Sequence, residues 1–401
     1  MCALNDEQLE VLEHVKNKHN IFLTGSPGSG KSFCVKNINS ILTQSGVKYG
    51  ITAMTGSAAI LINGTTLHSF LGIGLAKNEP RDIIFKMLPE KYNLISSLEC
   101  LLIDECSMLS DQLFNKIDDI CKIIKNNNLA FGGVQIILVG DGFQLAPIEG
   151  TYCFLSKNFT NFKVIQLNKN MRQRDDLVFK KILDNIRWGN CLNSDLKILK
   201  SLSNNVFSEG IVPTKLFSRN IDIDRINTTE LEKLNLPLQE YPIKYNSKVS
   251  KKYIDSNKIP LKIDLCIGAQ VIVTRNISIE DRIINGTRGV VIGLLPKSVI
   301  IKTLNNSNVI IDYFLVKDSE LNFNYIPLKL AWAVTIHSSQ GMTLDALEID
   351  LDNIFAFGQS YTGLSRAKDL KSIRITNVSK CSFKTNPRVI EFYNQLVKDP
   401  I

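Results

Sequence analysis

Residues 21–32 restrict the fold more than any other stretch. Ile21, Phe22 and Leu23 form an apolar run, Gly25-Ser-Pro-Gly-Ser-Gly30-Lys31-Ser32 follows, and a helical pattern then continues to about Leu42. The order is strand, glycine loop, helix, with G-x-x-x-x-G-K-[ST] matched in full. Glycines at 25, 28 and 30 let backbone N–H groups turn inward, and the helix N-terminus adds its dipole, so the loop can cradle phosphates. Gly25, Gly28, Ser29, Gly30, Lys31 and Ser32 are the candidate nucleotide ligands. Lys31 can reach the β- and γ-phosphates, and the Ser32 hydroxyl can coordinate Mg²⁺. The competing reading is a glycine-rich turn before a helix, which leaves the register of Lys31 and Ser32 to chance.

The surrounding pattern supplies a matching frame. Apolar runs at 21–23, 51–54, 101–103, 134–139 and 164–165 lack polar alternation and are separated by helical stretches. Such runs predict an α/β fold with parallel sheets covered on both faces. The run at 101–103 ends in Asp104 and Glu105, so Asp104 would face the Mg²⁺ shell and Glu105 could orient or deprotonate an attacking water. After the run at 134–139, the string Gly140-Asp-Gly-Phe-Gln144-Leu-Ala-Pro147 places Gln144 where it could sense a γ-phosphate. Together these residues predict an NTPase that uses Mg²⁺, without saying what the hydrolysis drives.

The length of 401 residues suggests roughly two or three domains. Over 268–326 the pattern changes to closely spaced short strands broken by turn signals at Asn285-Gly286 and Asn305-Asn306, which predicts a small antiparallel β unit inserted in the second domain. The formal charge of +8 hints at a polyanionic partner, although lysine-rich coding from an AT-rich genome explains it equally. Nine scattered cysteines without a CxxC, and only four histidines, argue against a disulfide framework or a zinc site and for a reducing, intracellular setting. The first residues read as an amphipathic helix without a signal-peptide core, and no apolar run approaches the ~18 residues of a membrane span.

Further strings complete an ordered set. These are Leu4-Asn-Asp-Glu-Gln8, Thr55-Gly-Ser-Ala-Ala59, Gly64-Thr-Thr-Leu-His-Ser-Phe70, Phe131-Gly-Gly133 and Leu167-Asn-Lys-Asn-Met-Arg172 in the first half. Thr214-Lys-Leu-Phe-Ser-Arg-Asn220, Asn285-Gly-Thr-Arg-Gly289, Pro327-Leu-Lys-Leu-Ala-Trp332, Thr335-Ile-His-Ser-Ser-Gln-Gly341 and Tyr361-Thr-Gly-Leu-Ser-Arg-Ala367 follow. In this order, over nearly the whole chain, the sequence resembles the Pif-type, RecD-related superfamily-1 DNA helicases.

The resemblance implies two RecA-like P-loop domains with parallel sheets, over 1–170 and 171–401. The second would carry a small β-barrel at about 268–326, and a duplex-splitting wedge would lie at about 71–97. It implies that Gln8 contacts adenine, that Gly341 joins the nucleotide site, and that Arg172 and Arg366 act as arginine fingers. Thr55, Gly56, His68, Ser69 and Phe70, with Thr335 and His337, match the strand-contacting motifs. His68 or Phe70 could stack on a base; the alternative for His68 and His337 is a hydrogen-bonded histidine that shapes its loop. Trp332 reads as core.

The expected partners are single-stranded and forked DNA and replication or repair proteins, with a monomeric motor core and no membrane. The compartment would be the nucleus or a viral replication site in a eukaryotic or viral setting, or the cytoplasm in a bacterial one. The implied activity is ATP-dependent unwinding, 5′ to 3′, in replication, repair or recombination. Two other readings are a RecD-like subunit of a nuclease and a non-motor P-loop switch. The chain departs from the family at Ser338, where relatives commonly have Lys, and at Gly142 and Ala146.

Overall fold

The computed structural model describes residues 4–168, 176–207, 212–218, 221–246, 251, 254, 260–275, 277–278, 283, 287–303, 307–317, 322–344 and 346–398. Arg172 and the Asn285-Gly286 turn lie outside them. The chain divides into two compact units, Met1–Val206 with Ile349–Ile401, and Phe207–Glu348.

The first unit is built on six strands: β1 (Asn20–Gly25), β2 (Tyr49–Ala53), β3 (Thr65–Thr66), β4 (Cys100–Asp104), β5 (Gln135–Gly140) and β6 (Phe162–Leu167). Their order is β3-β2-β4-β5-β1-β6 and every pairing is parallel. All residues of β4 and β5 are buried, as unbroken apolar runs require of strands covered on both faces. Alternation sorts their side chains. Ile21 and Leu23 join the core under helices α1 (Asp6–Lys16) and α2 (Lys31–Gln44), with Val11, Val15, Val35 and Ile38. Phe22 points the other way, into rings from Phe154, Phe159 and Phe392. Phe392 comes from the C-terminal helix Pro387–Lys398, so the end of the chain completes the core of its beginning.

The register aligns the carboxyl ends of the central strands. Ala53 pairs with Asp104, Ile103 with Leu138, Thr24 with Gly140 and Gly25 with Leu167. The glycine loop, Asp104-Glu105 and the 140–147 string therefore leave the sheet at one edge, where ligands of open α/β sheets bind. Over 71–97 lie two short helices, Pro80–Phe85 and Pro89–Ser97, each opened by its proline.

The second unit is mostly antiparallel. Strands β11 (Gln270–Val273), β12 (Arg288–Leu295), β13 (Ser298–Thr303), β14 (Asn308–Asp312) and β17 (Leu328–Leu330) form a sheet in the order β14-β13-β12-β11-β17. The inserted β unit is thus present over the expected stretch, but the described residues form no closed barrel. Among the described residues the sheet is open, ending on β14 and β17. The chain between them does not bridge the gap: β15 (Phe314–Lys317) pairs with β16 (Asn322–Tyr325), and β16 in turn with β9 (Lys244–Tyr245). Trp332 is buried in this unit's core, as expected.

Candidate functional site

The glycine loop is shaped by close approaches. A side-chain carbon on Gly25 would stand 2.7 Å from both the Leu167 carbonyl and the Ser29 hydroxyl. Gly30, at φ 97°, opens α2 in the left-handed region, and its missing side chain is where the Gln8 amide nitrogen sits, 2.8 Å from that point. Gln8 is buried and works twice. It forms a capping box with Asn5, its N–H donating to Asn5 Oδ1 at 2.9 Å and its Oε1 accepting from the Asn5 N–H at 3.1 Å. Its Nε2 meanwhile lies against the loop.

Lys31 Nζ donates to the carbonyls of Gly25 at 2.7 Å and Ser26 at 3.0 Å. Burial lowers its pKa, while Asp141, Glu105 and Asp104 act to raise it. Asp104, at the end of β4, is pushed up to about 7 by burial and by neighbouring Glu105, against the Glu105 N–H bond and Lys31. Glu105 itself takes φ 54°, ψ 41°, a left-handed backbone that costs a non-glycine residue of order 1 kcal/mol or more. Ser32 is exposed in the first turn of α2. Its hydroxyl and the Asp104 carboxyl are hard oxygen donors of the kind Mg²⁺ takes.

Gln144 is 3% exposed and its Oε1 is buried without a hydrogen-bond partner. The Ser29 hydroxyl is in the same condition. Two orphaned polar atoms on residues picked for nucleotide contact fit a polar ligand, since a buried unpaired group otherwise costs about 1–3 kcal/mol. Arg366 is buried just past the helix Gln359–Leu364. Its Nε donates to the Thr362 carbonyl at 3.0 Å and its Nη2 to Ser365 Oγ at 2.9 Å. Burial lowers its pKa, with Glu105 the leading opposing charge. Lys31, Asp104, Glu105 and Arg366 thus share one electrostatic neighbourhood inside the first unit.

The residues chosen for strand contact fall in both units. Thr55 Oγ1 accepts from the Ala58 N–H at 3.2 Å, at the start of the helix Gly56–Leu61, and Gly56 is exposed with open space where a side chain would be. In the helix Leu67–Leu71, Ser69 is exposed and His68 half-buried, while the Phe70 ring packs against Gly50 of β2. In the second unit, Thr335 is buried at the end of the short strand Ala333–Thr335, its hydroxyl bonding Ser338 Oγ at 2.7 Å and accepting from Ser338 N at 2.8 Å. Ser338 and Thr335 thus close this turn on each other. Burial pulls His68 and His337 below the ordinary imidazole value. Gly341 sits in a turn at φ 81°.

Sequence reasoning passed over four residues behind the site: Asp141, Arg187, Tyr361 and Tyr393. Asp141 and Tyr361 lay in noticed strings but were given no role, and Arg187 and Tyr393 lay in none. Tyr393, with Phe154, explains Gly142, because a side chain there would stand 2.9–3.0 Å from the two rings.

The model of the family described as PIF1-like helicase matches residues 3–196. The chain is 34% identical to the Homo sapiens ATP-dependent DNA helicase PIF1 over 98% of its own length, and spans 64% of that relative. It is 32% identical to the Bdellovibrio bacteriovorus ATP-dependent DNA helicase Pif1, over 98% of this chain and 92% of the relative. The crystal structure of the Pif1 helicase from Candida albicans superposes with a TM-score of 0.87 at 29% identity, over 99% of this chain and 100% of that one.

Proposed function

The chain belongs to the PIF1-like helicase family, and from that premise we propose that it is an ATP-driven motor that moves 5′ to 3′ along single-stranded DNA and opens duplex at a fork. The observation that carries the reading is the placement of Glu105. It stands in the field of two cations from opposite ends of the sequence, Lys31 and Arg366.

The roles follow. Gln8 faces the adenine, and Gly25, Gly28, Ser29, Gly30 and Lys31 hold the phosphates. Ser32 and Asp104 hold Mg²⁺, which when bound neutralises phosphate charge. Glu105 orients and deprotonates the attacking water. Gln144 reads the γ-phosphate, with Gly341 beside the nucleotide. Arg366 and Arg172 neutralise charge on the transferring group. Thr55, Gly56, His68, Ser69, Phe70, Thr335 and His337 grip the strand through hydroxyls, backbone amides and rings, as sequence-independent binding requires. The wedge is the 71–97 segment, and two RecA-like domains meet near residue 170, the second carrying the β unit in the place of a small barrel. The motor core works as a monomer with replication or repair proteins as partners.

ATP hydrolysis with and without single-stranded DNA tests the proposal. Stimulation of tenfold or more, abolished by Lys31→Ala, is expected, followed by unwinding of 5′-tailed but not 3′-tailed duplex. DNA-independent hydrolysis, or an unaffected Lys31→Ala variant, would sink it.

A further inference from the structure

The carboxylate of Asp141 is fully buried, and four donors saturate it. Arg187 Nη2 reaches Oδ1 at 3.0 Å and Arg187 Nε reaches Oδ2 at 3.3 Å. The Phe143 N–H adds a bond to Oδ1 at 3.2 Å and the Tyr361 hydroxyl one to Oδ2 at 3.0 Å. The guanidinium is walled in by rings, 4.2 Å from the Phe143 centroid and 5.3 Å from that of Tyr393. The Tyr393 hydroxyl accepts from the Gly142 N–H at 3.1 Å and bonds Thr24 Oγ1, one residue before the glycine loop.

Two further contacts fix the 141–144 turn. The Gln144 N–H donates to the Asp141 carbonyl at 3.0 Å. Gly358, which opens the helix of Tyr361, lies so close that a side-chain carbon on it would collide with the carbonyl oxygens of Phe143 and Gln144. One buried charge pair therefore organises the Gln144 turn, the strand that feeds the loop, and the helix that ends before Arg366.

A buried ion pair is poor value for stability, because desolvation offsets most of the attraction. What it supplies is geometry: the planar fork of Arg meets a carboxylate in a single orientation. The pair also leaves the rest of the turn free to aim one polar side chain, Gln144, whose Oε1 has no partner.

We propose that Arg187 is a positioning residue for hydrolysis: through Asp141, and with Tyr361 on the second oxygen, it holds the 141–144 turn so that Gln144 presents its side chain to the nucleotide. This rests on the reading of the site as an ATPase. Arg187 acts on the rate and not on nucleotide affinity, since the phosphates are gripped by the glycine loop and by Lys31, whose own bonds go to the Gly25 and Ser26 carbonyls and not to the Asp141–Arg187 pair.

The test is steady-state ATPase of the full chain with single-stranded DNA, for Arg187→Lys, for Tyr361→Phe, which removes a single hydroxyl, and for each combined with Gln144→Ala. Arg187→Lys is expected to lower kcat at least tenfold and Tyr361→Phe several-fold. KM for ATP and the affinity for a fluorescent ADP analogue should change less than twofold in both. In the Gln144→Ala background either change should lower kcat less than twofold further, because the route runs through that residue. A wild-type kcat in both single variants overturns the inference, as do losses that multiply with Gln144→Ala. Should Arg187→Lys fail to fold, Tyr361→Phe decides alone. If the unsubstituted chain hydrolyses no ATP, the function reading fails and takes this inference with it. If it does and Lys31→Ala abolishes it, a null result at Arg187 and Tyr361 overturns this inference only.

Discussion

Asp104 shows at the scale of one residue how function opposes stability. Its carboxyl ionises near 3.9 in an unfolded chain but is pushed up to about 7 in the fold, mainly by burial. The folded state therefore binds a proton that the unfolded state has released between those two values. A group with a raised folded pKa stabilises fully at low pH and loses that contribution as pH rises through the folded value. At pH 8 the nucleotide-free protein carries a buried carboxylate at a cost. Asp104→Asn, which keeps the shape without the charge, should raise the melting temperature at pH 8 by several degrees. The gain should open from about pH 4 and level off above pH 7, while Mg²⁺-dependent hydrolysis is lost. A gain that is the same at pH 4 and pH 8 would assign the effect to packing instead. Glu105, one residue on, adds a second cost through its left-handed backbone. Both were readable as acidic residues at a strand end; burial and φ were not, because they depend on what packs around β4.

At the scale of elements, the legible parts were those whose signal is local. Unbroken apolar runs gave parallel strands, and the glycine loop gave its own helix. Capping is local too: Asn5 and Gln8 stand three apart, the spacing of a capping box. What spacing does not reveal is that Gln8 also fills the volume above Gly30, so helix α1 and the loop are one device. Gly30→Ala should therefore fail twice, by a collision with Gln8 Nε2 and by forcing alanine to φ 97°. Its affinity for ADP, measured by isothermal titration, should fall at least tenfold. The double variant Gly30→Ala with Gln8→Ala removes the collision but not the backbone strain, so it should recover only part of that loss. Full recovery would show that φ is not limiting. The β unit of 268–326 marks the limit of local signals. Period-two patterning makes strands but does not choose their partners: β15 pairs with β16 and β16 with β9, rather than closing β14 onto β17.

For the whole molecule, the decisive contacts join residues far apart in sequence, which no motif encodes. Arg187 meets Asp141 across 46 positions, Tyr361 meets it across 220, and Tyr393 meets Gly142 across 251. The compact unit, Met1–Val206 with Ile349–Ile401, is larger than the 1–170 stretch that the sequence marks off. A fragment of residues 1–170 keeps Asp141 but loses Arg187, the Tyr361 hydroxyl and the Phe392 and Tyr393 rings that cover Phe22 and Phe143. Breaking a buried ion pair by removing one partner costs about 3–5 kcal/mol, and a typical domain has only about 5–15 kcal/mol in all. The fragment should therefore show no cooperative melting transition by circular dichroism. Residues 1–206 joined by a flexible Gly/Ser linker to 349–401 restore every one of these contacts. That spliced chain should melt cooperatively and bind ADP within a few-fold of the full protein. A cooperative transition in the 1–170 fragment would instead make the C-terminal segment an addition to a core that stands without it.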